Sequence, residues 1–336
     1  MLQEYILCSM MSHMKGSSPK TLIISRPDDA HIPLVEPYLQ SPPLVIDPLN
    51  IIKGESLSYE YCAGKMTVVY GGQPLQNIHS VWYRKPTTLR AARIPVEARY
   101  QVYCETALAA HARELYHHFR DALWVSDFWA LQRAEYKGLQ LEMAGKLGFH
   151  VPDTLFTSDS KAAKKFVQAN PKSIVKTAAH IFPVNASGEG SIFFAKKVHA
   201  DEDFNYDGLE VAPAIFQQAI DHDADIRVTV VGKKVFAAAI RASDMKAIDP
   251  RLRDWRAAAL GGSQEIKEYE LPKSVEKKCV ALVERLGLVF GAIDMVRDRQ
   301  GKLWFLENNP NGQWGFIELA TGQPIGRAIA ALLNRD

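Results

Sequence analysis

The chain has 336 residues, 47% hydrophobic and 23% charged, the composition of an ordinary globular protein with room for two domains or more. Its net charge of +2 gives no overall basic field for nucleic acid, and no apolar run approaches the length of a membrane span. The four cysteines, Cys8, Cys62, Cys104 and Cys279, form no CxxC pair and no cluster with histidine, which disfavours zinc and disulfide frameworks and fits a reducing cytoplasm.

Residues 1–18 carry Glu4 and several methionines but no basic segment before a long apolar core. They read as a disordered extension and not as a signal peptide. Thr21–Ser25 is a short buried strand, Ile32–Leu39 a helix, and Leu44–Ile46 a second strand with Asp47 at its end. Residues 48–80 are weakly patterned. Ser80–Arg84 is another strand, closed by Lys85-Pro86, and 95–120 look helical. This strand–helix–strand spacing predicts an N-terminal α/β domain over 19–120.

Trp124–Trp129 is an aromatic connection. The helix Ala134–Leu147 follows, with Leu139, Met143 and Leu147 on one face and Gly148 as its stop. Ser158-Asp159-Ser160 caps a helix over Lys161–Gln168. Ser173–Thr177 and Ser191–Val198 are strands on either side of a Gly/Ser turn at 185–191, giving a central two-layer lobe over 121–212. The last lobe, 213–336, opens with Ala214–Ile220. Asp225–Gly232 and Lys234–Arg241 form a hairpin across Gly232–Lys233, and 242–270 are polar and irregular. Val275–Leu286 is an amphipathic helix with Val275, Cys279, Leu282 and Leu286 inward. Phe290–Leu306 reads as strand, turn, strand, and Pro324 at the first position opens a final helix with Ile325, Ile329 and Leu332 on one stripe.

Glu307 and Asn309 are two apart, so they share one face of the second strand of that hairpin. With Gln300–Gly301 as turn centre, Asp294 stands opposite Glu307, and a register shift of two keeps all three on one face. Facing carboxylates repel. A hard divalent cation such as Mg²⁺, which takes carboxylate and amide oxygens, removes that penalty. The alternative is an edge hairpin with solvated acids. The segment Asn308-Asn309-Pro310-Asn311-Gly312 has poor strand propensity yet directly follows an apolar strand, which favours a shaped loop beside a ligand.

Lys176 lies inside an apolar strand, where an amine costs free energy unless it is paired or points into a cleft. The downstream turn with Gly188 and Gly190 could offer a nest of N–H groups to phosphate, although no GxxxxGK[ST] loop occurs. The plainer reading is an edge-strand lysine facing water, and Lys137 by itself says less. Arg227 and Arg241 lie on adjacent strands and could face one cleft, where their forks would suit a phosphate or a carboxylate. A solvated charge pattern that includes Asp225 is the alternative, and Arg256 has the same ambiguity. No Ser-His-Asp order and no nucleophile elbow is present.

Taken in order, Lys137, Lys176 with its Gly-rich turn, Phe216-Gln217-Gln218-Ala219-Ile220, Asp225-Ile226-Arg227 and Asp294…Glu307-Asn308-Asn309 resemble the ATP-grasp superfamily. More narrowly, the chain resembles the ATP-grasp ribosomal-peptide maturases, the microviridin-type (graspetide) ligases. The carrying motifs are Ser80-Val-Trp-Tyr-Arg-Lys-Pro86, Glu135-Tyr-Lys-Gly-Leu-Gln140, Asp225–Gly232, Asp254-Trp-Arg256, Leu306–Trp314 and Thr321–Pro324. Asp-x-Arg and Glu-x-Asn recur across the superfamily. Val-Trp-Tyr-Arg, Asp-Trp-Arg and Asn-Pro-Asn-Gly-Gln-Trp in this order are more specific.

The resemblance implies an α/β fold of α+β lobes, the ATP-grasp fold, behind an N-terminal pre-ATP-grasp domain. It implies that Lys137, Lys176 and the Gly188–Gly190 turn hold the phosphates of ATP. Gln217, Gln218 and the backbone at Ala219 and Ile220 would bind adenine, with Asp225 beside them. Asp294, Glu307 and Asn309 would carry two Mg²⁺, and Arg227, Arg241 and Arg256 would face the γ-phosphate and an acyl phosphate. The implied enzyme is ADP-forming and of the macrocyclase type: it closes ester or amide side-chain links in a precursor peptide bearing a leader segment. It would work as a homodimer in the cytoplasm, with neither nucleic acid nor membrane as partner. Departures are His222, where relatives often carry lysine, and Lys85, where arginine is common. Competing readings are a glutathione-synthetase-like ligase that joins a free amino acid to a peptide or small acid, and a non-catalytic nucleotide-dependent peptide-binding protein.

Overall fold

A computed structural model of the chain describes residues 20–87, 94–178, 195–201, 204–243 and 263–335. Gly188, Gly190, Arg256 and the expected N-terminal extension lie outside the described residues. Two compact units emerge. One comprises residues up to Gln132 with Gly287–Phe290 and the segment from Pro324 onward; the other comprises Arg133–Leu286 with Gly291–Gln323.

In the first unit, Leu22, Ile23 and Ile24 of β1 (Lys20–Ile24) are fully buried. A strand apolar on both faces suits the middle of a parallel sheet. After it come α1 (Ile32–Val35) and β2 (Leu44–Ile46). The helix expected over Ile32–Leu39 stops after one turn and continues as a 3₁₀ turn over Glu36–Tyr38, because Pro37 cannot donate to the preceding turn. The weakly patterned stretch 48–80 folds into a 3₁₀ turn, Pro48–Lys53, and a meander of β3 (Leu57–Cys62), β4 (Lys65–Tyr70) and β5 (Gln73–Pro74). Within the meander only Leu57 and Val68 are buried hydrophobics, so its apolar signal is faint. Then follow β6 (Ile78–Tyr83), α2 (Ala98–His118), β7 (Leu123–Val125) and α3 (Phe128–Ala134). The parallel sheet runs β2-β1-β6-β7.

Arg84, just beyond β6, is fully buried. Its Nη2 lies 3.2 Å from His31 Nε2, and His31 Nδ1 lies 2.8 Å from Asp29 Oδ1. Burial pushes the His31 pKa down, so the imidazole is neutral: Nδ1–H donates to Asp29 and Nε2 accepts from Arg84. Burial raises the Asp29 pKa, but the His31 hydrogen bond and the Arg84 charge outweigh it and set the value to about 2. The stabilisation is complete above the ordinary value of 3.8 and is lost as pH falls toward 2. Arg84 is therefore part of the interior. Arg84→Met is expected to destabilise the chain by about 3–5 kcal/mol, the cost of stranding a buried charge. Denaturant unfolding measures it, and an unchanged midpoint would show that the buried Asp29–His31–Arg84 cluster does not support the fold.

The second unit begins with α4 (Lys137–Lys146). The helix expected over Ala134–Leu147 is thus split, α3 ending at Ala134 and Tyr136 taking extended backbone before α4. Next come β8 (Thr154–Thr157), α5 (Ser160–Ala169), β9 (Lys172–Thr177), β10 (Lys196–His199) and β11 (Ala214–Gln218). Asp159 caps α5 by accepting from Lys161 N–H at 2.8 Å. These strands form an antiparallel sheet, β10-β9-β11-β8, with a core of Ala163, Val167, Val198, Leu209 and Phe216.

The second sheet contains β12 (His222–Val231), β13 (Lys234–Ser243), β14 (Ser263–Glu268), β15 (Phe290–Asp298) and β16 (Leu303–Asn309), in the order β14-β13-β12-β15-β16. The β12–β13 turn is Gly232–Lys233, as expected, with Val231 opposite Lys234. β14 falls in the stretch expected to be irregular. Ser-Gln-Glu-Ile-Lys-Glu carries almost no apolar signal because it is an edge strand, where charge protects the open side. Between β14 and β15 runs α6 (Lys273–Arg285), and after β16 comes α7 (Gly315–Thr321).

The last helix, α8 (Ile325–Leu333), packs with β6, β7 and α1 in the first unit, although the C-terminal lobe was expected to run to 336. Among the described residues Cys62, Cys104 and Cys279 are free, and no helix is long and apolar enough to cross a membrane.

Candidate active site

The site is built on the β15–β16 hairpin. Its turn is one half-residue away from the expected centre. Asp298 N–H donates to Lys302 O at 2.9 Å, leaving the loop Arg299-Gln300-Gly301, and Gly301 adopts φ +84°. A three-residue loop of this kind requires a left-handed residue at its end, which glycine supplies. Asp298 organises the turn by accepting from Gln300 N–H, Lys302 N–H and the Trp304 indole. Near the turn Met295 pairs with Phe305, whereas further along Asp294 pairs with Glu307 and Ala292 with Asn309. A β-bulge at Leu306 absorbs the extra residue. Asp294, Glu307 and Asn309 therefore share one face, as the spacing predicted, by a different route.

The intervening Asn308 points to the other face and is 2% exposed. Two glycines permit this packing. A Cβ on Gly291 would meet Asn308 Oδ1 at 2.5 Å, and one on Gly312 would meet Ala292 Cβ at 2.5 Å and Asn309 Cβ at 3.2 Å. Gly312 thus lets the loop after β16 fold back onto Asn309.

Two cations reach the acidic face. Arg227 on β12, 5% exposed, donates from Nη1 to Asp294 Oδ1 at 2.8 Å. Lys137, the first residue of α4, donates from Nζ to Glu307 Oε2. One helical turn later, Gln140 pairs its carboxamide with the backbone of Asn308. Gln140 was missed as a site residue, although its i, i+3 spacing from Lys137 puts both on one helix face.

Register separates the two arginines expected to share a cleft. Arg227 stands opposite Ala238 and Asp225 opposite Ile240, so Asp225 shares the Arg227 face. Arg241, three residues beyond Ala238 on a regular strand, points to the opposite face. It is half exposed there and lies 3.6 Å from Glu265.

On the other sheet, Lys176 stands opposite Ile215, two residues before Gln217. Its Nζ donates to Gln217 Oε1 at 3.0 Å, and Gln217 Nε2 donates to Thr154 Oγ1 at 2.8 Å. Gln217 is 1% exposed, so its amide orients the lysine. Gln218, opposite Ser173, faces the other side of the sheet. Ala219 N–H donates to Lys172 O at 2.9 Å, and Ile220 O accepts from His222 Nδ1 at 2.9 Å. His222 Nε2 lies 3.6 Å from Asp225 Oδ2, so this histidine links the segment after β11 to the start of β12.

Among the described residues no group of three His, Cys, Asp or Glu side chains gathers as a metal site. The set here contains two carboxylates and one amide. Such an all-oxygen donor set suits Mg²⁺, and both carboxylates already attract positive charge.

The pair of sheets in the second unit, with this acid–amide hairpin in one and Lys176 in the other, is the ATP-grasp fold. No family model and no curated protein matches the chain. Solved structures do. The chain is similar to a RiPP-associated ATP-grasp ligase of Chryseobacterium gregarium in complex with ADP and a leader and core peptide, with a TM-score of 0.81, 24% identity and coverage of 94% of this chain and 96% of that one. It is similar to the macrocyclase MdnC of Microcystis aeruginosa MRC bound with precursor peptide MdnA, with a TM-score of 0.77, 25% identity and coverage of 93% and 98%. It is also similar to the ATP-grasp ligase PsnB complexed with minimal precursor, Mg and ADP, with a TM-score of 0.73, 20% identity and coverage of 96% and 100%.

Proposed function

We propose that the chain is an ADP-forming ATP-grasp ligase that closes ester or amide links between side chains of a ribosomally made precursor peptide. The observation that carries this reading is the Asp294–Glu307–Asn309 face with Arg227 and Lys137 directed onto it, in a fold shared with structures that hold ADP, Mg and precursor peptides. A side-chain carboxylate of the peptide attacks the γ-phosphorus of ATP, ADP leaves, and an acyl phosphate forms. An alcohol or amine of the same peptide then attacks the acyl carbon and phosphate leaves. Positioning and charge cancellation supply the catalysis, and no protein nucleophile is required.

Lys176, oriented by Gln217, and Lys137 hold phosphate oxygens, with the Gly188–Gly190 turn as a further contact. The segment Gln218-Ala219-Ile220 lies beside adenine, with Asp225 next to it. Arg227 faces the transferring phosphoryl group, and Arg256 is a second candidate for that duty. Bound at Asp294, Glu307 and Asn309, two Mg²⁺ would neutralise charge on the phosphates. The peptide is engaged through a leader segment, the working form is a homodimer, and free cysteines suit a reducing cytoplasm.

The test combines enzyme, ATP, Mg²⁺ and the cognate precursor. The expected product is lighter by one water per closed link, with one ADP formed for each. A peptide returned at unchanged mass while a free amino acid is consumed with ATP would replace this reading with a small-substrate ligase.

A further inference from the structure

Gln140 is 2% exposed, and its carboxamide is used completely. Nε2 donates to Asn308 O at 2.7 Å and to Ala134 O at 2.6 Å, while Oε1 accepts from Asn308 N–H at 2.8 Å. β16 is an edge strand, and edge backbone groups need partners when buried. Here one side-chain amide stands where a neighbouring strand would be. It grips the single residue between Glu307 and Asn309. The Asn308 side chain gives no such anchorage, since its buried carboxamide finds no hydrogen-bond partner among the described residues. The third bond ties the same amide to the last residue of α3, so three segments meet at one group.

We propose that Gln140 is a positioning residue for the acid–amide face. It fixes the backbone on which the Glu307 and Asn309 oxygens are mounted, and through them sets affinity for a divalent cation, without touching cation or substrate. Lys137, one turn earlier, acts on the Glu307 side chain, so the first turn of α4 controls both backbone and charge at this face. The inference rests on reading Asp294, Glu307 and Asn309 as the metal face.

Gln140→Met keeps length and approximate volume and removes all three hydrogen bonds. Gln140→Asn keeps the amide one methylene short and serves if the first variant does not fold. Two measurements on the full chain decide. Hydrogen exchange of the Asn308 amide is expected to rise about tenfold or more, with the Phe305 amide, which donates to His150 O, unchanged. The half-saturating Mg²⁺ for ADP formation is expected to rise about 10- to 100-fold, with KM for the peptide within about twofold of the parent value. A general structural defect would lower the active fraction and leave the Mg²⁺ midpoint in place, which overturns the proposal, as does parental exchange at Asn308. A parent enzyme with no Mg²⁺ requirement overturns the metal-face reading and the inference with it. A Mg²⁺-dependent parent with an unaffected variant overturns the inference alone.

Discussion

Asp294→Asn, Glu307→Gln and Asn309→Ala each leave a folded chain that closes no measurable link in its peptide. All three side chains are half-buried at one edge of the sheet, so folding does not depend on them as it does on the core beneath. Their value is chemical. Each is an oxygen donor on the face that would hold the cation, and losing the charge of either acid or the oxygen of Asn309 misplaces the phosphate oxygens on which transfer depends. The expected fall in ADP formation is about a thousandfold or more, the scale of losing preorganised charge at the reacting phosphate. Amide replacements are chosen for the two acids because alanine at 294 would strand Arg227, which is almost buried against it. Turnover, product mass and a thermal melt are read together. Full activity in any two of the three variants at ordinary Mg²⁺ removes the site assignment.

Arg227→Lys is expected to cost about 10²–10³-fold in kcat, while Arg241→Met stays within about threefold of the parent rate. The two arginines looked equivalent as residues on adjacent strands, and the difference is one of face. Arg227 is nearly buried, donates to Asp294 and is held by a fixed geometry that a lysine cannot copy, since an ammonium has no planar fork. Arg241 is half exposed, across the sheet, beside Glu265. Single-turnover kinetics with saturating ATP separates the phosphoryl step from nucleotide binding. A large loss at Arg241 with Arg227→Lys near parental rate would reverse the assignment.

Much of this was legible in the residues. The Gly232–Lys233 hairpin fixes β12 against β13, and its register alone places Ala238 opposite Arg227 and hence Arg241 on the other face. Strand adjacency alone carries no such parity. The shared face of Asp294, Glu307 and Asn309 could be read from spacing, but the Leu306 bulge that produces it leaves no mark in composition. Gln140 and Asn308 are far apart in sequence, and no local pattern reports a side-chain amide paired with a distant backbone. The β3–β5 meander and β14 were hidden because their strands bury little, and hydrophobic alternation is the signal by which strands are read. Nothing beside Arg84 in the sequence shows that it is buried. Its partners, Asp29 and His31, lie beyond a different strand, and a parallel sheet joins what the sequence separates.

The placement of α8 has a consequence for how the chain is made. Its buried stripe, Ile325, Ile329, Leu332 and Leu333, packs with β6 and β7, strands that precede it by most of the sequence, and Asn334 closes the join by donating to Tyr38 O at 2.9 Å. The first unit is therefore completed only after every residue of the second has been made. Until α8 is made, β6 and β7 lack that apolar cover, while the second unit needs no residue beyond Gln323. Apolar strand surface that waits for a distant helix is exposed to aggregation in the interval. Fusions or deletions at the C-terminal end would accordingly be felt in the N-terminal domain, at the far end of the sequence from the change.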